Sequence, residues 1–164
     1  MKDLLEKLSS YNIFNYLLPG VIFVAISKPL TKYNFIQEDI VIGVFLYYFI
    51  GLVISRIGSV IIEPILKWSK FIKYSEYRDY IEASNKDKLI VVLSEANNMY
   101  RTFLSLFIFL SLLKIYETLS ERFQCLNNHS SEIIIVGLLA LFAVSYRKQT
   151  AYITKRVASA NDGK

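Results

Sequence analysis

The sequence predicts an all-α polytopic membrane protein with about four transmembrane helices, a cytoplasmic helical hairpin and helical cytoplasmic extensions. Three observations support this fold class. Hydrophobic residues make up 54% of the 164 positions, against about 45–50% in an ordinary soluble domain. Uncharged apolar runs approach the roughly 20 residues that a helix needs to cross a bilayer. The chain contains only 6 Gly and 3 Pro, so long helices can form without interruption.

The chain is predicted to form one membrane domain over residues 1–164, with spans at about 8–30, 40–62, 99–119 and 128–147. The second span is the strongest, because Arg56 alone interrupts its apolar run. The fourth is the weakest, because its apolar run covers only residues 133–146, and a buried or interfacial helix is the alternative there. Pro64 predicts a break after the second span.

The segments between and beside the spans are also predicted to be helical. Residues 67–98 contain Tyr and Ile at helical spacing among charged residues and no Gly or Pro, which indicates a helical hairpin. Its second arm is expected to continue unbroken into the third span. Residues 147–160 contain no helix breaker either, so the fourth span is expected to project as a cytoplasmic helix. Residues 1–8 are typical of a short interfacial helix.

Positive charges are distributed unevenly between the spans. Fourteen Lys and Arg residues fall in the N-terminal segment, residues 67–101 and residues 147–164, whereas three fall in the two remaining loops. Because Lys and Arg in short loops stay on the cytoplasmic side of a membrane, both termini and the hairpin are predicted to be cytoplasmic. The loops around Lys32 and Cys125 are predicted to lie outside. The net charge of +5 is explained first by topology and by anionic lipid.

Catalytic and metal-binding patterns are absent from the sequence. The chain has one Cys and one His and lacks phosphate-binding loops, nucleophile elbows and paired Cys motifs. We therefore expect neither an enzyme nor a bound metal or cofactor. The acids Glu63, Glu117 and Glu132 lie at predicted ends of spans, where a carboxylate is usually solvated or caps a helix.

Polar residues inside the spans are informative, because a charged side chain at the bilayer centre costs roughly 2.5–3.5 kcal/mol. Arg56 is expected to extend its guanidinium to the inner surface, or alternatively to pair with Glu63. Lys114 and Glu117 lie three residues apart on one helical face, so Glu117 is expected to neutralise Lys114. Asn12 and Asn15 share a face of the first span and are expected to pack against another helix.

Small residues recur every four positions in the second span, at Gly51, Ser55 and Ser59. Such a stripe lets another helix backbone approach closely. With few spans to bury the polar groups, we expect self-association, and this stripe is the predicted oligomer interface. A weaker stripe of the same kind is formed by Gly137, Ala140 and Ala143.

The third span carries a stripe that is suited to line a pore. Around an oligomer axis, Phe103, Phe107, Ser111 and Lys114 would present hydrophobic rings and a few polar groups. Hydrophobic rings of this kind close a pore by excluding water. The alternative is that the Phe residues form part of the helix-packing core.

Basic residues continue beyond the fourth span along the predicted cytoplasmic helix. Lys148, Tyr152 and Lys155 share one face, with Arg147 and Arg156 adjacent. Such a stripe can neutralise backbone phosphates, while the Tyr ring offers a stacking surface for a base. The stripe is therefore a candidate nucleic-acid site, and the alternative is that these residues set orientation and bind anionic lipid.

Three segments together resemble a family of small bacterial inner-membrane proteins of antiphage defence. They are YNIFNYLLPGVIF at 11–23, YYFIGLVISRIGSVIIEP at 47–64 and EANNMYRTFLSL at 95–106. The chain is similar over most of its length to the channel subunits of Hailong-type systems. The resemblance implies a tetrameric pore in the bacterial inner membrane, held shut by single-stranded DNA oligomers that a partner nucleotidyltransferase makes.

Two function classes follow from these observations. The first is an oligomeric ion channel that acts as a toxic effector in abortive infection and is gated by a nucleic-acid or nucleotide ligand from a partner enzyme. The second is a non-conducting membrane scaffold that recruits a cytoplasmic protein through residues 67–101. A transporter is not supported, because no inverted pair of interrupted helices is visible. A depolarised membrane on overexpression would favour the pore over the scaffold.

Overall fold

The computed structural model describes residues 13–161, and every regular element in that range is a helix. A π-helical turn, Ile13–Leu17, leads into α1. In chain order the α-helices are α1 (Leu18–Leu30), α2 (Ile40–Ile57), α3 (Glu63–Trp68), α4 (Tyr77–Lys86), α5 (Leu89–Arg122), α6 (Gln124–Asn128) and α7 (Ser130–Asn161). A second π-helical turn, Gly58–Ile62, joins α2 to α3.

Three helices are long and apolar enough to cross a membrane, namely Ile40–Trp68, Leu89–Arg122 and Ser130–Asn161. The weakest of the predicted spans therefore lies on a helix of spanning length. The helix of the first predicted span is shorter, Asn15–Leu30. Residues 8–12 of that span, the interfacial helix predicted at 1–8, and Asn12 lie outside the described residues. The all-helical fold is confirmed over the described residues, and three of its helices could span a membrane by length and composition. The number of spans stays a prediction.

The core lies where α1, α2 and α5 meet. Its buried side chains are Phe23, Val24, Ile54, Leu106 and Leu110. These apolar faces pack against one another and form a three-helix core against which the other helices pack.

The N-terminus of α2 is capped by Asp39, whose Oδ1 accepts hydrogen bonds from two backbone N–H groups of the first turn. Capping of this kind satisfies donors that a helix start leaves free.

Helix α7 lies at the edge of this core. Its Phe142 ring stacks on Phe49 of α2 at 6.2 Å between ring centroids, and Leu141 and Ser145 are its buried residues. Most other apolar side chains of its first half are exposed, including Ile134 and Leu139. This helix therefore presents an apolar surface that a bilayer or another chain can cover.

Pro64 does not break the chain direction, and the break predicted there is wrong. The backbone N–H of Glu63 bonds to the carbonyl of Gly58, five residues back. Pro64 follows this wide turn inside the continuous helix Ile40–Trp68, and the carbonyl of Ser59 in the turn accepts a hydrogen bond from Lys148. The helix ends four residues later at Trp68, and Lys70 adopts a φ of 60° in the turn that follows.

The segment after this turn forms a helical hairpin. Its first arm is α4, and its second arm continues without interruption as α5 to Arg122. A hydrogen bond of 3.2 Å from Asn97 Nδ2 to Tyr74 Oη joins α5 to the segment just before α4. Helix α7 is likewise unbroken through residue 161. The absence of helix breakers therefore predicted correctly that the second arm continues into the third predicted span and that the fourth continues as a helix over residues 147–160.

The loops meet at two opposite ends of the bundle. At the Lys32 end, Lys32 Nζ lies 3.4 Å from Glu121 Oε1, which joins the loop after α1 to the end of α5. At the Glu63 end, Glu63 contacts Arg101 at 2.7 Å and Lys148 at 3.8 Å. The two segments rich in Lys and Arg, residues 67–101 and 147–161, therefore lie at the Glu63 end. The loops that contain few Lys and Arg residues lie at the Lys32 end.

Candidate functional site

A buried carboxylate, Glu63, joins three helices at the Glu63 end. The residue is 4% exposed. Its Oε1 lies 2.8 Å from Lys67 Nζ and 3.8 Å from Lys148 Nζ, while its Oε2 accepts a hydrogen bond of 2.7 Å from Arg101 Nη1. These four residues, called the Glu63 cluster below, connect α3, α5 and α7.

The π-helical turn shapes this cluster. Lys148 Nζ donates to the backbone carbonyl of Ser59 and lies 2.9 Å from Ser59 Oγ. A π-helical turn often marks a functional position, because it leaves the regular α-helical pattern of hydrogen bonds. Gly58 admits α5 at the same place, since a Cβ there would overlap Ser105 Oγ and contact Arg101 Cγ at 3.4 Å. Gly58 therefore lets Arg101 of α5 come close to Glu63, and Ser59 holds Lys148 of α7 beside it.

The charges of the cluster do not balance. Three cations face one carboxylate, and the positive charge of Arg56 also acts on Lys148. Arg56 donates to Tyr16 Oη at 3.1 Å. Among the described residues, the buried Nε atoms of Arg56 and Arg101 have no hydrogen-bond partner. A site with excess positive charge and unused donors is suited to bind an anion.

Two sequence-based interpretations are corrected here. Glu63 was interpreted as solvated or capping, and it is instead buried and paired with cations. Arg56 bonds to Tyr16 rather than to Glu63, and both carboxylate oxygens of Glu63 are already paired, Oε1 with Lys67 of the same helix and Oε2 with Arg101 of α5. The charge of Glu63 at a predicted span end was the available signal, but its burial depends on which helices pack there.

The Lys32 end contains a second ionic contact, and this one was predicted. Lys114 Nζ lies 2.7 Å from Glu117 Oε2, which confirms the expected pair. Glu117 also accepts a hydrogen bond of 2.7 Å from the backbone N–H of Lys32. Its carboxylate therefore neutralises a charge on α5 and attaches the loop after α1 to that helix, which corrects its interpretation as a solvated or capping group.

The stripe of small residues packs within the chain. A Cβ at Gly51 would overlap the carbonyl of Tyr16, Ser55 Oγ lies 3.3 Å from Thr102 Oγ1, and Ser59 contacts Lys148. Helix α1, α5 or α7 thus covers each position. The close approach of helices predicted from these residues occurs inside one protomer, so the assignment to an interface between protomers is corrected. Self-association itself stays a prediction.

The predicted pore-lining residues divide into two groups. Phe103 is half-buried and packs against the core, so for this residue the packing alternative holds. Phe107, Ser111 and Lys114 are exposed on the bundle surface. They belong to a longer exposed line that repeats at alternating intervals of four and three residues, called the α5 seam below: Tyr100, Leu104, Phe107, Ser111, Lys114, Thr118 and Glu121.

The predicted basic stripe is divided in the same way. Lys148 is half-buried and belongs to the Glu63 cluster, which corrects its place in a solvent-facing stripe. Arg147, Tyr152, Lys155 and Arg156 are exposed on α7. The Tyr152 ring centroid lies 5.8 Å from Lys148 Nζ and 6.5 Å from the ring of Tyr77. The distal part of the stripe is thus available to a ligand.

No family model, curated protein or solved structure matches the chain. Over residues 13–161, no group of three or more His, Cys, Asp and Glu side chains could hold a metal ion.

The α5 seam was predicted only in part from the sequence, although its spacing is visible there. The sequence does not show which face of α5 the other helices cover. In the structure they cover the face that carries Phe103 and leave Leu104 exposed.

Proposed function

We propose that copies of this protein associate through the α5 seam and form a pore in a bacterial inner membrane, with both termini in the cytoplasm. The observation that carries the proposal is the composition of two neighbouring exposed faces of α5. The seam contains Ser111, Lys114 and Thr118, whereas the adjacent exposed face consists of Leu112, Ile115 and Leu119. Both faces belong to a helix of spanning length.

Polar side chains in a transmembrane helix usually face another helix or water. The apolar face is suited to lipid, and the seam is suited to a second copy of α5 or to an aqueous axis. Its average repeat of 3.5 residues is the spacing at which helices pack along a continuous contact. Several copies arranged around an axis would bring the seams together there.

The hydroxyl groups of the seam are oriented for such a role. Ser111 Oγ donates to the carbonyl of Phe107 at 3.0 Å, and Thr118 Oγ1 donates to the carbonyl of Lys114 at 3.2 Å. Because each proton is used by the helix, the oxygen lone pairs remain available to water or a cation. Phe107 and Leu104 would form the hydrophobic constriction of the pore.

The biological part of the proposal follows from the resemblance to the channels of Hailong-type systems. It assigns the pore to a tetrameric toxic effector of antiphage defence. A partner nucleotidyltransferase would supply a single-stranded DNA oligonucleotide as the gating ligand. The exposed basic residues on α7 are the proposed contact for that ligand.

Substitution in the constriction tests the pore. Phe107→Ser is expected to hydrate the constriction and to depolarise cells at an expression level at which the wild type does not. Leu112→Ser is the matched control on the apolar face and should not depolarise them. Oligomeric size in detergent is measured on the same proteins. A monomeric wild type, or equal membrane potentials for both variants and the wild type, would contradict the proposal.

A non-conducting scaffold is the second candidate, and one observation favours it. Near the start of α5, Leu89, Val92 and Leu93 are between 57% and 60% exposed. In the proposed topology this part of α5 lies in the cytoplasm, where an apolar patch commonly marks a protein interface. The scaffold predicts that none of the seam substitutions changes the membrane potential.

A further inference from the structure

We propose that the Glu63 cluster binds the phosphate of an anionic phospholipid headgroup. The inference relies on the membrane insertion of the proposed function but not on a pore. Lys67, Arg101 and Lys148 surround one carboxylate, which leaves an excess of two positive charges before Arg56 is counted. A buried cationic group that lacks a counterion is costly, and a phosphate oxygen would supply the missing negative charge.

The donors at this site are only partly used. Arg101 contacts Glu63 through Nη1, while its buried Nε has no hydrogen-bond partner in the part of the chain that the structure describes. The buried Nε of Arg56 is in the same state. Leaving a buried donor unsatisfied is costly. Phosphate oxygens are strong acceptors for guanidinium groups, and the exposed part of the Arg101 side chain gives a phosphate access to this guanidinium.

The cluster is open on one side. The side-chain exposure increases from 6% for Glu63 through 17% for Arg101 and 26% for Lys148 to 44% for Lys67. A ligand can therefore approach along Lys67 while Glu63 stays covered. The Lys67 ammonium also lies 4.3 Å from the Tyr74 ring centroid, so an aromatic ring lies beside the side from which a ligand would approach.

Exposed aromatic residues favour a lipid as the source of the phosphate. Trp68 is 86% exposed and Tyr146 is 78% exposed. Trp68 follows Lys67 in the sequence, and Tyr146 lies two residues before Lys148. Trp and Tyr side chains concentrate at the headgroup level of a bilayer. The cations are therefore expected at the depth of the lipid phosphates.

Lipid retention by the purified full chain tests the site. The detergent-solubilised protein is mixed with phosphatidylglycerol or phosphatidylcholine, and bound lipid is counted by native mass spectrometry. We expect about tenfold preferential retention of phosphatidylglycerol, because both lipids carry a phosphate but the choline ammonium of phosphatidylcholine cancels its charge and is repelled by the cations of the cluster. Lys67→Gln should reduce this preference, and Lys86→Gln, which removes an exposed cation outside the cluster, should leave it unchanged.

Glu63→Gln distinguishes a lipid site from a purely structural ion cluster. Removal of the internal carboxylate should increase phosphatidylglycerol retention, because it increases the positive charge that faces the phosphate. In a purely structural cluster, Glu63→Gln and Lys67→Gln would both destabilise the fold without opposite effects on retention. That result, or equal retention of the two lipids by the wild type, would overturn the proposal.

Two further measurements distinguish a lipid phosphate from free phosphate, and failure of the phosphate site from failure of the proposed function. Excess inorganic phosphate should not displace phosphatidylglycerol, and complete displacement would instead assign the site to free phosphate and overturn the lipid assignment. Wild-type protein should remain in the membrane fraction after an alkaline wash. If it is washed off, the proposed function fails, whereas retention in the membrane without a lipid preference contradicts the phosphate site alone.

Discussion

Gly20 of α1 and Gly51 of α2 face each other at a point where the two helix backbones touch. A Cβ added to Gly20 would overlap the carbonyl of Tyr47, and one added to Gly51 would overlap the carbonyl of Tyr16. Because backbone atoms form both obstacles, a side-chain rotation cannot relieve either overlap. Close packing of this kind supplies dispersion energy where lipid removes the hydrophobic driving force between helices.

Gly51→Ala is expected to destabilise the protein, because the added methyl group must push α1 away from α2. Overpacking of a tight contact typically costs about 1–3 kcal/mol. The matched control is Gly137→Ala, since a Cβ at Gly137 has no atom within 4 Å. There Ala should be neutral or stabilising by up to about 1 kcal/mol, because Gly is the weaker helix former. Thermal unfolding in detergent compares the variants, and equal melting temperatures would refute the contact.

The contact shows how far the small-residue stripe could be interpreted from the sequence. Spacing alone predicted that another backbone approaches Gly51, and that inference was right. Spacing does not show whether the other backbone belongs to the same chain, because the stripe looks alike in both cases. Gly20 in α1 was the available partner.

Other features depend on tertiary contacts in the same way. The long uninterrupted helices follow from composition, because propensity and length act locally. Burial of Glu63 requires Arg101 and Lys148 from distant parts of the chain, so no local pattern could predict it. The π-helical turn at Gly58–Ile62 also takes part in a tertiary contact, because Lys148 of α7 donates a hydrogen bond to the carbonyl of Ser59 within it.

Glu117 is expected to stabilise the Lys32 end through two different bonds. Glu117→Gln should keep an acceptor for the Lys32 backbone N–H but lose the charge that pairs with Lys114. Glu117→Ala should lose both bonds and lower the melting temperature further. Glu121→Ala is the control, because its pair with Lys32 is longer and exposed, and exposed pairs contribute little.

The order of melting temperatures tests this assignment. We expect the control to resemble the wild type, followed by Glu117→Gln and then Glu117→Ala. A Glu117→Ala variant as stable as the control would show that the buried carboxylate does not hold the loop. Added salt should narrow the difference between the wild type and Glu117→Gln, since that difference is one of charge.

Cys125 tests the orientation of the bundle in the membrane. It is the sole cysteine of the chain and is exposed in α6, between α5 and α7. The charge distribution predicts that this end lies outside the cytoplasm. A membrane-impermeant thiol reagent should therefore label Cys125 on intact spheroplasts.

A second cysteine position provides the control for labelling. Ser75 is exposed in the segment before α4, which the predicted topology places in the cytoplasm. In a Cys125→Ser background, Ser75→Cys should react only after the membrane is opened. Reversed labelling of the two positions would invert the topology, and it would place the Glu63 cluster at the outer surface.

The distal basic residues of α7 distinguish ligand binding from lipid anchoring. Lys155 and Arg156 are exposed and lie about two turns beyond Lys148, which contacts Ser59 and Glu63. Positive charge beside a membrane is explained by topology and anionic lipid in the first place. Lys155→Glu with Arg156→Glu leaves Arg147 and Lys148 to maintain that function, so insertion should survive.

If the stripe binds nucleic acid, this double substitution should weaken retention of short single-stranded DNA by the purified protein. The slope of log affinity against log salt concentration should also become shallower, because fewer counterions are released when fewer phosphates are neutralised. Lys86→Glu with Lys88→Glu is the control, since it reverses two charges near the start of α5 and away from the stripe. Equal losses in both double variants would indicate a general charge effect. If wild-type protein does not retain DNA in a salt-dependent manner, the nucleic-acid interpretation of α7 is wrong and a pore without that ligand, or the scaffold, takes its place.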